Sequence, residues 1–146
     1  MMELSVLLVD DEEAFVEAMA RRLGKRGYRV ATATSGPRAL EVLGQGGATR
    51  TDVVILDVKM PGMDGLEALA AIKERHPLVE VIMLTGHATV ESAIEGMKRG
   101  AFDYLMKPCE METLTAKLAQ AGQKKRDHEA KILEARATLI ALRRGD

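Results

Sequence analysis

Five short runs rich in apolar and β-branched residues recur along the chain: SVLLV (5–9), YRVATA (28–33), VVILD (53–57), VEVIMLT (79–85) and DYLM (103–106). No other feature limits the fold so tightly. A run such as VVIL has no polar residue at alternate positions, so both of its faces need a dry neighbour. That is the pattern of a strand inside a parallel sheet covered on both sides. The intervening segments supply the cover. Phe15, Met19 and Leu23 fall on one helical face, as do Leu66, Leu69 and Ile72, and then Val90, Ala93 and Met97. Ser35 with Gly36 and Pro37 reads as a helix start, and Asp64 after the MPGMDG turn as another. Gly24 with Gly27, and Gly44 with Gly46, read as stops. Strand and helix alternating five times predict an α/β fold, with a five-stranded parallel sheet doubly wound by helices through right-handed crossovers.

Composition narrows the function classes. At 146 residues the chain suits one domain plus an appendage. No apolar run approaches the ~20 residues that span a bilayer, and acidic flanks around the first apolar run are wrong for a secretory signal, so the expected location is the cytoplasm, away from membranes. A single cysteine, Cys109, cannot support a disulfide framework or a thiolate metal cluster. A net charge of -1 gives no electrostatic footprint for direct nucleic-acid binding. The nine methionines read as core filler.

In sheets of this kind, ligands gather beyond the carboxyl ends of the strands. The first run ends in Asp10 and Asp11, the third in Asp57, the fourth in Thr85, and the fifth leads into Lys107 and Pro108. Taken singly, an acidic pair caps a helix, a threonine ends a strand and a lysine is solvated. Together on one edge they form a polar pocket. Crowded carboxylates raise at least one pKa strongly unless a cation neutralises them. Oxygen ligands without His or Cys suit a hard cation, and few direct carboxylates suit Mg2+ better than a multidentate calcium cage. A carboxylate set beside Mg2+, an ammonium and a hydroxyl is equipped to attack a phosphoryl group, giving an aspartyl phosphate.

The segments VDDEEAF, LDVKMPGMDG, LTGHA and AFDYLMKP, in this order and spacing, resemble the receiver domain of bacterial two-component response regulators over about residues 3 to 120. The resemblance implies a flavodoxin-like (βα)5 fold and a phosphorylation-dependent switch rather than an enzyme with an external substrate. It implies that Asp57 accepts a phosphoryl group from a sensor histidine kinase or phosphotransfer protein. It further implies that Asp11, Asp57 and the backbone carbonyl of Lys59 hold Mg2+, with Asp10 assisting. Thr85 matches the switch hydroxyl, Lys107 the ion-pairing partner of the phosphoryl group, and Tyr104 the aromatic that changes rotamer. Pro108 matches a position that carries a cis peptide bond. His87 and Lys59 match positions that tune phosphoryl lifetime, and Cys109 stands where the family has a large apolar residue.

Two other nucleophile or nucleotide chemistries fail on residues. A phosphatase of the haloacid dehalogenase type needs an Asp two places after its nucleophile, where this chain has Lys59. A dinucleotide-binding enzyme needs a glycine-rich turn after the first strand, where this chain has DDEEAF. The remaining alternative is a receiver-like interaction module that is never phosphorylated. Such a module is expected to lose the acidic pair, Asp57, Thr85 or Lys107, and all are present.

Beyond residue 120, the segment 121–146 carries seven Lys or Arg against four Asp or Glu. From Glu110 onward the pattern reads as a long helix, with Gly122 a candidate break, and 121–146 as its helical tail or linker. A heptad reading places Leu118, Ala121, Lys125, His128, Ile132, Ala135, Leu139 and Leu142 on one seam, apolar at its end and poor in its middle. The division expected is a domain over 1–120 and a tail over 121–146, too short for a DNA-reading module, so the chain is either a stand-alone receiver or one that stops ahead of an output module. Self-association is expected through the face that follows Thr85, assisted by the C-terminal helix.

Overall fold

Each expected run forms a strand in the computed structural model, which describes residues 3–45 and 50–145. The elements are β1 (Ser5–Val9), α1 (Glu13–Lys25), β2 (Arg29–Ala33), α2 (Gly36–Gln45), β3 (Val53–Leu56), α3 (Gly65–Arg75), β4 (Glu80–Thr85), α4 (Val90–Lys98), β5 (Asp103–Met106) and α5 (Met111–Arg144). Tyr28, Asp57 and Val79, included in the runs read from sequence, flank the strands rather than belonging to them. Gly46, one of the two stop signals expected after α2, lies outside the described residues.

The five strands form one parallel sheet in the order β2-β1-β3-β4-β5. All four residues of β3 and all six of β4 are buried, which is why those runs show no polar alternation. Strand side chains alternate between two cores as the pleat requires. Leu7, Val9, Val54 and Leu56 pack with Ala39 and Leu43 of α2 and with Ala68, Leu69 and Ile72 of α3. Val6, Leu8, Val53 and Ile55 pack on the other face with Val16, Met19 and Leu23 of α1 and with Leu114, Leu118 and Ala121 of α5.

One expectation needs correction. Helix α4 does not bury the Val90, Ala93, Met97 face. Val90, Ile94 and Met97 are 74%, 51% and 48% exposed, and the one fully buried position of the helix is Gly96. Gly96 faces Tyr104, Met83 and Leu66, so the helix rests on its glycine face and turns its apolar side outward. Met97 and Met106 are therefore surface residues rather than core filler. The long helix expected from Glu110 onward is α5, which runs for 34 residues and is not broken at the candidate site Gly122. The Leu4 side chain occupies the space that a Cβ at Gly122 would need, which accounts for a glycine inside this helix. Contact with the body continues past residue 120 to Lys125, whose buried ammonium pairs with Asp52 and Glu129. From Lys131 to Ile140 the helix is exposed.

Gly65 is the tightest backbone approach in the sheet-to-helix turns. A Cβ there would lie 1.9 Å from the carbonyl oxygen of Asp57, which no rotamer change relieves. Gly65→Ala is expected to destabilise by ~3 kcal/mol or more, outweighing the ~1 kcal/mol that alanine contributes in a helix. Gly44→Ala, with open space around the new Cβ, is expected to be neutral or stabilising by up to ~1 kcal/mol. Urea unfolding of the two variants checks the contrast; equal midpoints would mean that α3 does not abut the Asp57 backbone.

Candidate functional site

Strands β1 and β3 are neighbours, but the chain leaves them in opposite directions, toward β2 from one and toward β4 from the other. The crevice beyond their carboxyl ends is therefore the switch point at which open α/β sheets bind ligands. Asp10 and Asp11 follow β1 and Asp57 follows β3, and oxygen atoms of the three carboxylates lie within 4.8 Å of one another. Backbone bonds fix this edge. The Asp57 N–H donates to Val9 O at 3.0 Å, the Asp10 N–H to Ala33 O at 3.2 Å, and the Lys107 N–H to Thr85 O at 2.9 Å.

The carboxylates differ in setting. Asp10 and Asp57 are buried, whereas Asp11 is exposed. Asp10 accepts the Glu12 N–H at 2.9 Å on one oxygen and the Lys107 ammonium at 2.6 Å on the other. The capping-type bond and the ion pair thus coexist on one residue. Asp57 accepts the Val58 N–H at 2.7 Å, and its other oxygen stands 3.8 Å from Lys107. So Lys107 is brought to Asp57 as expected, but its short partner is Asp10. Thr85, fully buried, accepts the His87 N–H at 3.0 Å on its hydroxyl oxygen, and its own hydroxyl proton is turned to the Asp57 carboxylate. Lys59, exposed, lines a cleft of about 600 Å³ with Asp11, Glu12, Asp57, Met60, Pro61, Asp64 and His87. The Lys107-Pro108 bond is cis, as expected.

Tyr104 lies farther out. Its hydroxyl is 2.6 Å from Ser92 Oγ, and Ser92 closes a capping box with Thr89 at the start of α4. Sequence reading named Tyr104 but missed Ser92, for which the only available signal was the T-x-x-S spacing of a capping box. It also gave no role to Glu12 and placed Phe15 only on the apolar face of its helix, whereas both reach Lys107. Cys109 packs against the α1 and α5 core, and burial with the nearby Glu110 charge pushes its thiol pKa up, the opposite of a reactive thiolate.

Burial raises the pKa of Asp57 above the usual carboxylate value, and the Asp10 charge adds to it. The Thr85 hydroxyl, the Lys107 charge and the Val58 N–H pull it down without cancelling the rise. Lys107 is shifted upward: burial opposes its charge, but the bond to Asp10 and the charges of Asp10, Asp57 and Glu12 outweigh it. Within this pocket, acidic groups outnumber the single buried ammonium. An oxygen-only set of three close carboxylates with surplus negative charge fits a hard divalent cation.

Comparison with known proteins agrees with the geometry. The response regulator receiver domain family matches residues 6–119. The DNA-binding transcriptional regulator NtrC of Escherichia coli (strain K12) is 38% identical over 117 residues, covering 80% of this chain and 24% of that protein. The transcriptional regulatory protein ZraR of Klebsiella oxytoca is 35% identical over 140 residues, 96% of this chain and 31% of that protein. The chain thus spans about a quarter to a third of the length of these relatives. Among solved structures, a receiver domain protein from Clostridium thermocellum superposes with a TM-score of 0.79 at 36% identity, covering 84% of this chain and 97% of that one. The receiver domain of NtrX from Brucella abortus gives 0.74 at 32% identity, covering 81% and 98%.

The raised Asp57 pKa has a stability consequence with a definite sign. The folded protein holds this proton more tightly than the unfolded chain, so ionised Asp57 costs stability at neutral pH. That cost fades as pH falls through the raised value and is gone below the unfolded value of 3.8. Asp57→Asn, which leaves Asp10 to hold Lys107, is expected to raise Tm at pH 7 in chelator-treated buffer by about 3 °C or more. The gain should vanish near pH 3.5. A Tm difference that does not change with pH would show that Asp57 is not strained by its charge.

Proposed function

Because the chain belongs to the response regulator receiver domain family, we propose that it is a phosphorylation-dependent signalling switch whose acceptor is Asp57, loaded by a sensor histidine kinase or phosphotransfer protein. The observation that carries this reading is the buried Asp57 carboxylate at the switch point, with Asp10, Asp11, Thr85 and Lys107 gathered around it. A buried carboxylate beside an open cleft, with the Lys107 ammonium 3.8 Å from one of its oxygens, is placed to act as a nucleophile. That oxygen forms the bond to phosphorus as the donor's bond to phosphorus breaks. Lys107, close to both Asp10 and Asp57, turns to the new oxygens as their counter-ion. Thr85 passes its hydroxyl hydrogen bond from the Asp57 carboxylate to one of them, while its oxygen keeps the His87 N–H. Asp11, Asp57 and the Lys59 carbonyl, with Asp10 assisting, would hold Mg2+, which neutralises charge on the transferring group.

The division this reading carries is a receiver over 1–120 and a helical tail over 121–146, with Lys125 seating the first turns of the tail on the receiver. The DNA binding named for NtrC is said of a protein of which this chain spans 24%; the output proposed here is instead a change of interaction surface. Val90, Ile94 and Met97 on α4, with Met106 on β5, form an apolar face beside Tyr104, and a second copy of the chain is the partner that face would take. Ile132, Leu139 and Leu142 of the heptad seam are also exposed and would give the tail an apolar contact of its own in such a pair. No described helix is long and apolar enough to cross a membrane.

Intact-mass measurement with Mg2+ and a small phosphodonor is expected to show one added phosphoryl group per chain, absent in Asp57→Asn. Unchanged labelling of that variant would place the acceptor elsewhere, and no labelling of the wild type would favour the unphosphorylated interaction module.

Sedimentation with a beryllofluoride mimic is expected to show a mass increase that Ile94→Glu lowers by tenfold or more in association constant, since about 1.4 kcal/mol commands each factor of ten. Equal association of the variant would remove the α4 face from the interface.

A further inference from the structure

The contacts of the Lys107 ammonium are unequal. It makes one short hydrogen bond, to Asp10 at 2.6 Å; Glu12 is at 3.4 Å and Asp57 at 3.8 Å. Its remaining close neighbour is not a carboxylate. The Phe15 ring, in the first turn of α1, lies with its centroid 4.0 Å from Nζ, well inside the ~6 Å at which a cation is held by an aromatic face. The lysine side chain is 14% exposed, so water competes weakly and the attraction is toward the upper part of its range.

We propose that Phe15 is a positioning residue for Lys107, holding the ammonium in the cleft without occupying its N–H donors. This deepens the phosphoacceptor reading of the site and rests on it. The two kinds of partner differ in what they use up. A carboxylate takes a donor and neutralises charge, so every bond that Lys107 makes to Asp10 or Glu12 is one to be broken before it serves a phosphoryl oxygen. The ring takes neither. It also stays in range through the move required. Going from 3.8 Å to the ~2.8 Å of a charge-assisted bond at the Asp57 side shifts Nζ by about 1 Å. From 4.0 Å, that leaves it no more than about 5 Å from the centroid, still within reach. Without the ring, the carboxylate left to steady the ammonium on its outer side is Glu12, whose own side chain is 63% exposed, and the lysine would spend more time turned out toward water. Phe15 also packs against the α1 and α5 core, so a test must separate the ring's charge contact from its bulk.

Phe15→Leu keeps an apolar side chain and loses the ring face, whereas Phe15→Tyr keeps both. In the full chain, the Lys107 Cε protons are expected to be shifted upfield by the ring in the wild type and in Phe15→Tyr, and to return to the position of ordinary lysines in Phe15→Leu. With Mg2+ present, beryllofluoride affinity is expected to fall about two- to fivefold in Phe15→Leu and to stay within twofold of wild type in Phe15→Tyr, with urea midpoints measured alongside. The proposal is overturned if the wild-type Lys107 protons show no ring shift. It is overturned equally if both variants lose affinity together, which is the mark of a packing role, or if Phe15→Leu loses none. A wild type that binds no beryllofluoride while showing the ring shift would sink the phosphoacceptor reading and leave the Phe15 contact standing on its spectroscopic signature.

Discussion

Burying Asp10 and Asp57 side by side at the ends of adjacent strands costs more than their backbone bonds return, and Lys107 is the charge that offsets it. Each carboxylate accepts one N–H from the chain next to it, Glu12 for Asp10 and Val58 for Asp57. A buried ion otherwise demands a partner. The ammonium reaches both from the far side of the site, delivered by β5, which pairs with β4 rather than with β1 or β3. The charge balance at this edge therefore depends on the whole sheet being assembled in order. It also remains incomplete, since Asp11 and Glu12 add negative charge without a further buried cation.

The opposite edge of the same sheet makes the contrast plain. Asp52, at the loop into β3, accepts the Ser5 N–H and the Lys125 ammonium, and Glu129 pairs with Lys125 and Arg50. Glu80, buried at the start of β4, lies 3.7 Å from both Lys73 and Lys124. Here each carboxylate has a basic neighbour of its own, and the result is a polar seam that fastens α3 and α5 to the strands. Burial pulls the Lys73 pKa down, with the Glu80 charge resisting. Acidic residues in balance with bases hold structure, while those in excess leave room for a cation; the two edges differ in that respect more than in how many carboxylates they contain.

What sequence made legible follows from the same physics. A strand buried on both faces must be apolar throughout, so β3 and β4 announced themselves, and the groups at their ends could be gathered without coordinates. Helix α4 defeated the same reasoning because periodicity reports which residues share a face, not whether that face is covered. Its inward contact is made by Gly96 and by the Tyr104 hydroxyl on Ser92, neither of which registers in an apolar pattern. Gly122 was ambiguous for a related reason: glycine in a helix signals a break unless a neighbour such as Leu4 needs its space. Lys125 reads as a solvated seam residue until Asp52, 73 positions away, is brought beside it. The Phe15 contact with Lys107 likewise joins α1 to the loop after β5, beyond anything local spacing encodes.

These details also indicate where the molecule would yield first. A region opens easily when few buried apolar contacts hold it, and α4 has one fully buried residue against four in α3. Its N-terminus is tied by the Thr89 and Ser92 cap, and Ser92 in turn by Tyr104. Only a short path separates that cap from the carboxylates, because His87, which donates to Thr85, precedes Thr89 by two residues. A new anion on Asp57 would draw the Thr85 proton, and the backbone from His87 to the cap would feel the displacement before any core residue does. Contiguity of this kind supports coupling only if the element at its end has two arrangements of similar energy. A helix seated on a glycine, fastened at its start by one tyrosine hydroxyl and carrying an uncovered apolar face has few contacts to hold it to one arrangement.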